Sequence, residues 1–368
     1  MLTTLDRYLL RSLLVNFLIA ISVMISLYVT LDMFVNMDEF TEQGHPLPTV
    51  IKNVASYYWP NLFLYYAQLA GVISLFACMA TLARLRKLNE LTALLASGVS
   101  LYRVAAPVVA FGVITAGLLI VDTELLIPAV AHRLSRNHDD ADGKRAQEVL
   151  FLPDRDGALL SAGRFYSGSP DLLRLLVITR DETGALVRVL EADHATWDPS
   201  SPIRPQGRWQ LERGRAFTRL REDRGQLGPQ DTVEVTYPRY YPSDLSPKEI
   251  ELRQSEGWIR FLSLRQLRGL RESGLADRAA ISHTKHVRIT TPIVSMVMLL
   301  LGLPFFLDRC PASILNDAGK CMVLCGLCYV STFVAQSIRP ASESALPAWI
   351  PIFVFATVAM VLIDRIRT

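Results

Sequence analysis

The chain has 368 residues, of which 51% are hydrophobic and 20% charged, with a formal net charge of +3. That small surplus forms no patch resembling a nucleic-acid footprint. The apolar residues gather in long runs, which excludes most soluble-enzyme architectures.

Six runs are long enough for a hydrocarbon core, which takes about 20 apolar residues of helix. They fall in two groups of three around a polar, strand-rich segment. The expected fold is an α-helical integral membrane protein with six transmembrane helices (3+3) plus an inserted all-β, jelly-roll-like domain. Residues 1–130 carry the first three helices, 131–287 the β domain with short connecting helices, and 288–368 the last three.

The first span is expected over residues 13–34, preceded by Arg7 and Arg11. Its apolar run is too long for a signal-peptide core, and no small-x-small site follows, so a retained helix is expected. The second covers 59–82, with Pro60 in its first turn, where proline is tolerated. The third covers 102–127 and is expected to stop at Pro128. The fourth, fifth and sixth cover 289–307, 321–338 and 346–363.

Basic residues orient these spans. Arg7, Arg11, Arg84, Arg86, Lys87, Arg103, Arg309, Lys320, Arg365 and Arg367 lie at one set of short ends; only Lys52 and Arg339 lie at the other. The positive-inside rule makes both termini and the 83–101 loop cytoplasmic, and the β domain periplasmic in a bacterium with two membranes.

In the 83–100 loop, Leu85, Leu88, Leu91 and Leu95 recur at helical spacing, with Arg84, Arg86, Lys87 and Glu90 between them. Gly98 sits where such a helix would end. A single amphipathic helix over 84–98 is expected. The pattern leaves two roles open: leucines resting on lipid, or a coupling helix seated on an ATPase.

In the middle segment, strands are expected at 148–152, 158–166, 173–180, 186–192, 194–198, 208–213, 216–221 and 232–237, separated by turn residues. Ser246 through Glu249 and Ser263 through Gln266 read as capping boxes. The second opens a helix with Arg265, Arg268 and Arg271 on one side, a solvated face or one that meets headgroups. A helical stretch over 276–288 is expected to run on into the fourth span.

Cys78, Cys310, Cys321, Cys325 and Cys328 all lie in or beside spans, so the β domain is not a disulfide scaffold. Cys321, Cys325 and Cys328 share a helix face, as small packing residues do. His138 with Asp139, Asp140 and Asp142 reads as a solvated turn. Neither Gly319-Lys320 nor Gly143-Lys144 has the glycine and hydroxyl residue of a P-loop, so any ATP is hydrolysed by another subunit. No nucleophile–base pair is visible, and no cofactor or metal site is expected. Asn16, Gln68, Asp122 and Gln336 are polar groups inside spans; Asp122 and Glu124 sit near an end, where a structural role is expected.

These features together resemble the lipopolysaccharide export permeases LptF and LptG. The resemblance rests on Leu5-Asp6-Arg7-Tyr8, Asn89-Glu90-Leu91 followed by Ala96-Ser97-Gly98, Glu124 with Pro128, the stretch from Ala192 through Trp209 to Gly214, and Arg288, Pro292, Pro304 and Phe305. It implies a transporter subunit that is not itself an enzyme. Its implied partners are a second permease of the family, a cytoplasmic ATPase dimer, a periplasmic bridge of jelly-roll type, and lipopolysaccharide or a related glycolipid. It favours the coupling role for residues 84–98, with Arg84, Arg86, Lys87, Glu90, Leu91 and Gly98 as its site. Spans one and five would form the gate, with Asp32, Phe34, Lys52 and Gln336 as candidate gate and cavity residues. One departure is the acidic run from Asp32 to Glu39, where the family pattern is basic. An anionic headgroup would be repelled there, so either the paired subunit supplies the cations, or the lipid is less charged, or phosphate is met by Lys52 and Arg265. The alternatives are an ion-coupled secondary transporter, whose matched helix breaks are missing here, and a membrane scaffold with a ligand-binding periplasmic domain.

Overall fold

The computed structural model describes residues 3–35, 47–134, 146–166, 169–181, 184–199, 207–220, 232–254, 257–273, 278–307, 313–338 and 346–364. The expected features at His138 through Lys144, Arg309, Cys310, Arg339, Arg365 and Arg367 lie outside them. The chain divides into a helical unit (residues 1–38, 58–129 and 259–368) and a β unit (39–57 and 130–258).

Six helices among the described residues are long and apolar enough to cross a membrane. The first, α1, spans Thr4–Val35. It starts well before residue 13, because Thr3 and Asp6 cap it reciprocally: Thr3 N–H donates to the Asp6 carboxylate at 2.9 Å, and Asp6 N–H to Thr3 Oγ1 at 3.4 Å. The second, α2, spans Leu47–Lys87, so Pro60 lies in its interior and not in a first turn. Proline removes one backbone bond there without ending the helix.

The single helix expected over 84–98 is two pieces. α2 runs on to Lys87, and a separate helix α3 covers only Glu90–Ala96. Asn89 divides them with φ 57°, a left-handed conformation that asparagine tolerates. Gly98, at φ 87°, ends α3: Val99 N–H bonds to Leu94 O at 3.1 Å and Gly98 N–H to Leu95 O at 3.0 Å.

α4 (Leu101–Val121) passes through a π-helical turn, Asp122–Leu126, into α5 (Ile127–Leu134). The third span therefore does not stop at Pro128. The wider turn shifts the backbone bonding just where proline offers no N–H.

In the last group, α8 covers Arg278–Phe306, merging the expected short helix with the fourth span. α9 covers Ile314–Ser337 and α10 Leu346–Asp364. The core of this unit takes Leu9, Leu13 and Phe17 from α1, Ile73 and Leu82 from α2, Val104 and Phe111 from α4, and Leu299 and Leu301 from α8. Cys321, Cys325 and Cys328 lie buried in it along one face of α9.

The β unit holds one antiparallel eight-stranded sheet: β1 (Ala146–Pro153), β2 (Leu159–Tyr166), β3 (Asp171–Arg180), β4 (Leu186–Asp198), β5 (Arg208–Glu212), β6 (Arg215–Leu220), β7 (Thr232–Thr236) and β8 (Tyr240–Pro242). The order is β1-β2-β3-β4-β5-β8, and β6 joins β4 to β7. β4 gives one edge to β3 and divides the other, pairing β6 along 188–191 and β5 along 194–198.

Three rows of buried side chains cross the central strands: Leu160, Val177 and Leu190; Ala162, Leu175 and Ala192; Phe165, Leu172 and Ala195. Between the second and third rows each strand carries two residues where strict alternation would place one. All three strands change parity at the same place, so pairing stays in register across the change. Arg174 takes up its share with φ 54°. The two strands expected at 186–192 and 194–198 are therefore one strand with a change of phase.

Trp209 is fully buried, and its Nε1 donates to Leu245 O at 3.1 Å. Helix α6 (Pro247–Gln254) follows, with Glu249 N–H on Ser246 Oγ at 3.2 Å. In the helical unit, α7 (Leu264–Ser273) opens on a complete capping box: Ser263 N–H to Gln266 Oε1 at 2.8 Å and Gln266 N–H to Ser263 Oγ at 3.3 Å.

Candidate functional site

A cavity of about 320 Å³ lies in the helical unit between α2, the π turn, α8 and α9. It brings together both three-helix groups. Gly71 keeps α2 close to α8: a Cβ there would sit 3.1 Å from Met298 Sδ. Leu64, Val287, Val294 and Phe333 supply apolar wall, while Gln68, His283, Thr291 and Gln336 supply polar groups. Much of that polarity is satisfied by the protein. His283 Nε2 lies 2.9 Å from Gln336 O, Gln336 Nε2 is 3.5 Å from Thr291 Oγ1, and Thr291 donates to Val287 O at 2.7 Å. Such a wall suits hydrocarbon chains carrying some polar groups.

On the wall of this cavity, where Arg260 also lies, Arg288 reaches across to the third span. Its side chain is 7% exposed and pairs with Glu124 at 3.2 Å. It also donates to Thr123 O, and to Arg260 O at 2.8 Å. The other Glu124 oxygen accepts Leu264 N–H at 2.9 Å. One carboxylate thus fixes the third span, the fourth span and the start of α7. Arg288 was visible only through family resemblance, and Glu124 also as a polar group near a span end; nothing in their spacing announces the pair. Leu267 and Leu270 of α7 are buried, while Arg265, Arg268 and Arg271 are exposed.

Asp32 lies near the C-terminal end of α1. It accepts the Tyr58 hydroxyl at 2.9 Å and the Tyr65 hydroxyl at 3.5 Å, and Tyr28 packs on Tyr65 with ring centroids 4.2 Å apart. The acid is a hydrogen-bond acceptor for α2, which its sequence neighbours did not reveal. Phe34 is 68% exposed. Lys52 is on α2, but its side chain lies outside the described residues, as do residues 36–39.

At the opposite end of the bundle, the six residues predicted in the 84–98 stretch separate. Arg84 and Lys87 are exposed on the last turn of α2, whereas Arg86 is buried. Arg86 turns inward to Asp317 of α9 at 2.9 Å and to Phe305 O at 3.1 Å, so its guanidinium is committed to the protein. Leu91 is buried against the core, and Gly98 is exposed. Glu90 opens α3 and accepts the Tyr8 hydroxyl of α1 at 2.7 Å. Asp6 pairs with Arg103 of α4 at 2.9 Å. The Thr3–Asp6 spacing carried a cap signal; the Tyr8–Glu90 bond, 82 positions apart, carried none.

In the β unit, Asp154 is fully buried and accepts Ser243 Oγ at 2.6 Å, Tyr241 Oη at 2.9 Å and Asp244 N–H at 3.0 Å. Burial first, and then the Asp154 charge, hold the Tyr241 phenol protonated well above its usual range. Burial likewise raises Asp244, against the pull of Arg155.

Comparison with known proteins agrees with this construction. No curated protein matches the chain. The family model described as lipopolysaccharide export system permease LptF/LptG matches residues 7–365. That match takes in both three-helix groups and the inserted sheet, and the chain belongs to the LptF/LptG family of lipopolysaccharide export permeases.

Proposed function

We propose that this permease is one transmembrane half of an ATP-driven exporter, and that the α2–α8–α9 cavity is its share of the path for the glycolipid. The observation that carries this reading is the cavity itself: its open surface is mostly apolar, polar side chains including Arg260 and Arg288 line the rest, and helices from both three-helix groups wall it. Acyl chains bury their surface against Leu64, Val294 and Phe333, each buried methylene contributing about 0.8 kcal/mol. The basic ends of the helices lie in the cytoplasm with both termini, and the β unit lies in the periplasm of the bacterial inner membrane.

A second permease subunit closes the path from the other side. A cytoplasmic ATPase dimer seats against α3, Glu90, and the exposed Arg84 and Lys87. A periplasmic jelly-roll bridge receives lipid from the β domain. The chain binds no cofactor of its own; ATP is consumed by the partner. Asp32 is engaged by tyrosines and repels a headgroup phosphate less than a bare carboxylate would. The phosphates are met by Arg265, by Lys52, or by cations of the paired subunit.

A photo-reactive residue at Phe333 or Thr284, in membranes carrying labelled lipopolysaccharide, tests the path. ATP-dependent adducts at these positions support it. Adducts confined to the outward face of α10, at Phe353, would sink it.

A further inference from the structure

Helix α3 is short, and it is bonded to the first span. We propose that the Tyr8 hydroxyl is the joint through which α3 moves α1, so that an ATPase acting on α3 tilts the first span directly. The proposal rests on the reading of α3 as the motor contact.

The geometry is specific. Tyr8 donates to Glu90 Oε2 at 2.7 Å. An ionised carboxylate offers about four lone-pair sites, so Glu90 keeps room for a cation of the partner while holding Tyr8. Two residues earlier, on the other side of α1, Asp6 pairs with Arg103 at 2.9 Å, and Arg103 also donates to Thr3 Oγ1 at 3.1 Å. The first turns of α1 are thus tied to α3 through Tyr8 and to α4 through Asp6.

Beyond those turns the helix is thinly held. Leu9, Leu13 and Phe17 are buried, but Leu18, Ile19, Val23, Leu27 and Leu31 are exposed. Asn16 donates to Thr81 at 2.8 Å, and Asp32 holds Tyr58 near the far end. A helix of this length is about 48 Å long, so a tilt of about 5° imposed at Tyr8 carries the far end about 4 Å. The Asp32–Tyr58 bond is the latch such a tilt would open. Tyr8 is a positioning residue, acting through Glu90.

The test uses the full complex with its ATPase in liposomes, measuring ATP turnover and lipid released in parallel. Tyr8→Phe removes one hydroxyl and leaves the ring. The expected result is unchanged co-purification of the ATPase, near-normal ATP turnover, and lipid released per ATP lowered about five- to tenfold, as for the loss of one solvent-exposed hydrogen bond of ordinary strength. Lipid released per ATP equal to wild type overturns the joint. Glu90→Arg separates the two readings. If it leaves the ATPase bound, the motor contact itself is misplaced. If it dislodges the ATPase while Tyr8→Phe keeps full yield, only the joint fails.

Discussion

Arg86 and Asp317 form an ion pair of 2.9 Å whose side chains are only 4% and 11% exposed, and they belong to opposite three-helix groups. The pair ties the last turn of α2 to the first turn of α9. Removing one partner strands the other charge away from water. Asp317→Ala should cost about 3–5 kcal/mol, read as a lowered melting temperature of the detergent-solubilised protein. Replacing both residues by leucine should recover most of that loss.

At the other end of the bundle, Glu124 neutralises Arg288 and accepts Leu264 N–H. Glu124→Gln keeps an acceptor but leaves the arginine unbalanced. It should destabilise by about 1.5–3 kcal/mol. Hydrogen exchange at the start of α7 should accelerate before exchange elsewhere in the helical unit. Uniform acceleration would show that Glu124 does not hold α7.

The β unit carries a pH signature at Asp244. Burial raises its carboxyl above the ordinary value of 3.8, so the folded state favours the protonated form. Its contribution is fully present below pH 3.8 and is lost as pH rises through the raised folded value. Asp244→Asn should flatten the dependence of β-unit stability on pH across that window without lowering stability at neutral pH. Tryptophan-fluorescence melts of the wild-type and variant proteins at several pH values would check it.

Gly207 has φ 104°, and a Cβ there would lie 2.4 Å from Trp197 Cζ2. Gly207→Ala should cost about 1–3 kcal/mol through strain and overpacking. A change confined to the fluorescence and exchange protection of β4 and β5 would match this origin.

Within the cavity, Thr291→Leu adds hydrocarbon bulk and removes the partner of Gln336. Lipid release should fall severalfold while the melting temperature holds. Full release with bulk at this position would exclude the α2–α8–α9 space from the lipid path.

The six spans were legible because hydrophobic length is recorded locally in the chain. Their ends were not, because polar residues there are satisfied by distant partners. Asp317 looks like a residue outside a span until Arg86 is placed beside it. Pro128 reads as a stop because sequence does not display a π turn. In the sheet, the change of parity after Ala192 imitates a strand boundary. β8, three residues behind Pro238, imitates a loop. Of the candidate site, Glu90 and Gln336 were found as residues, but their engagement with Tyr8 and His283 joins positions far apart in sequence.

The shared change of parity makes β2, β3 and β4 interdependent in a way that side-chain substitution would never expose. Deleting one residue at Gly163, Arg174 or Asp193 would restore strict alternation in that strand alone and slip its pairing by one residue, setting Phe165, Leu172 or Ala195 out of line with its row. Shortening all three strands at once would bring those side chains back together. Length at this line is thus a shared property of three segments, and an insertion or deletion is tolerated only when its neighbours undergo the same change.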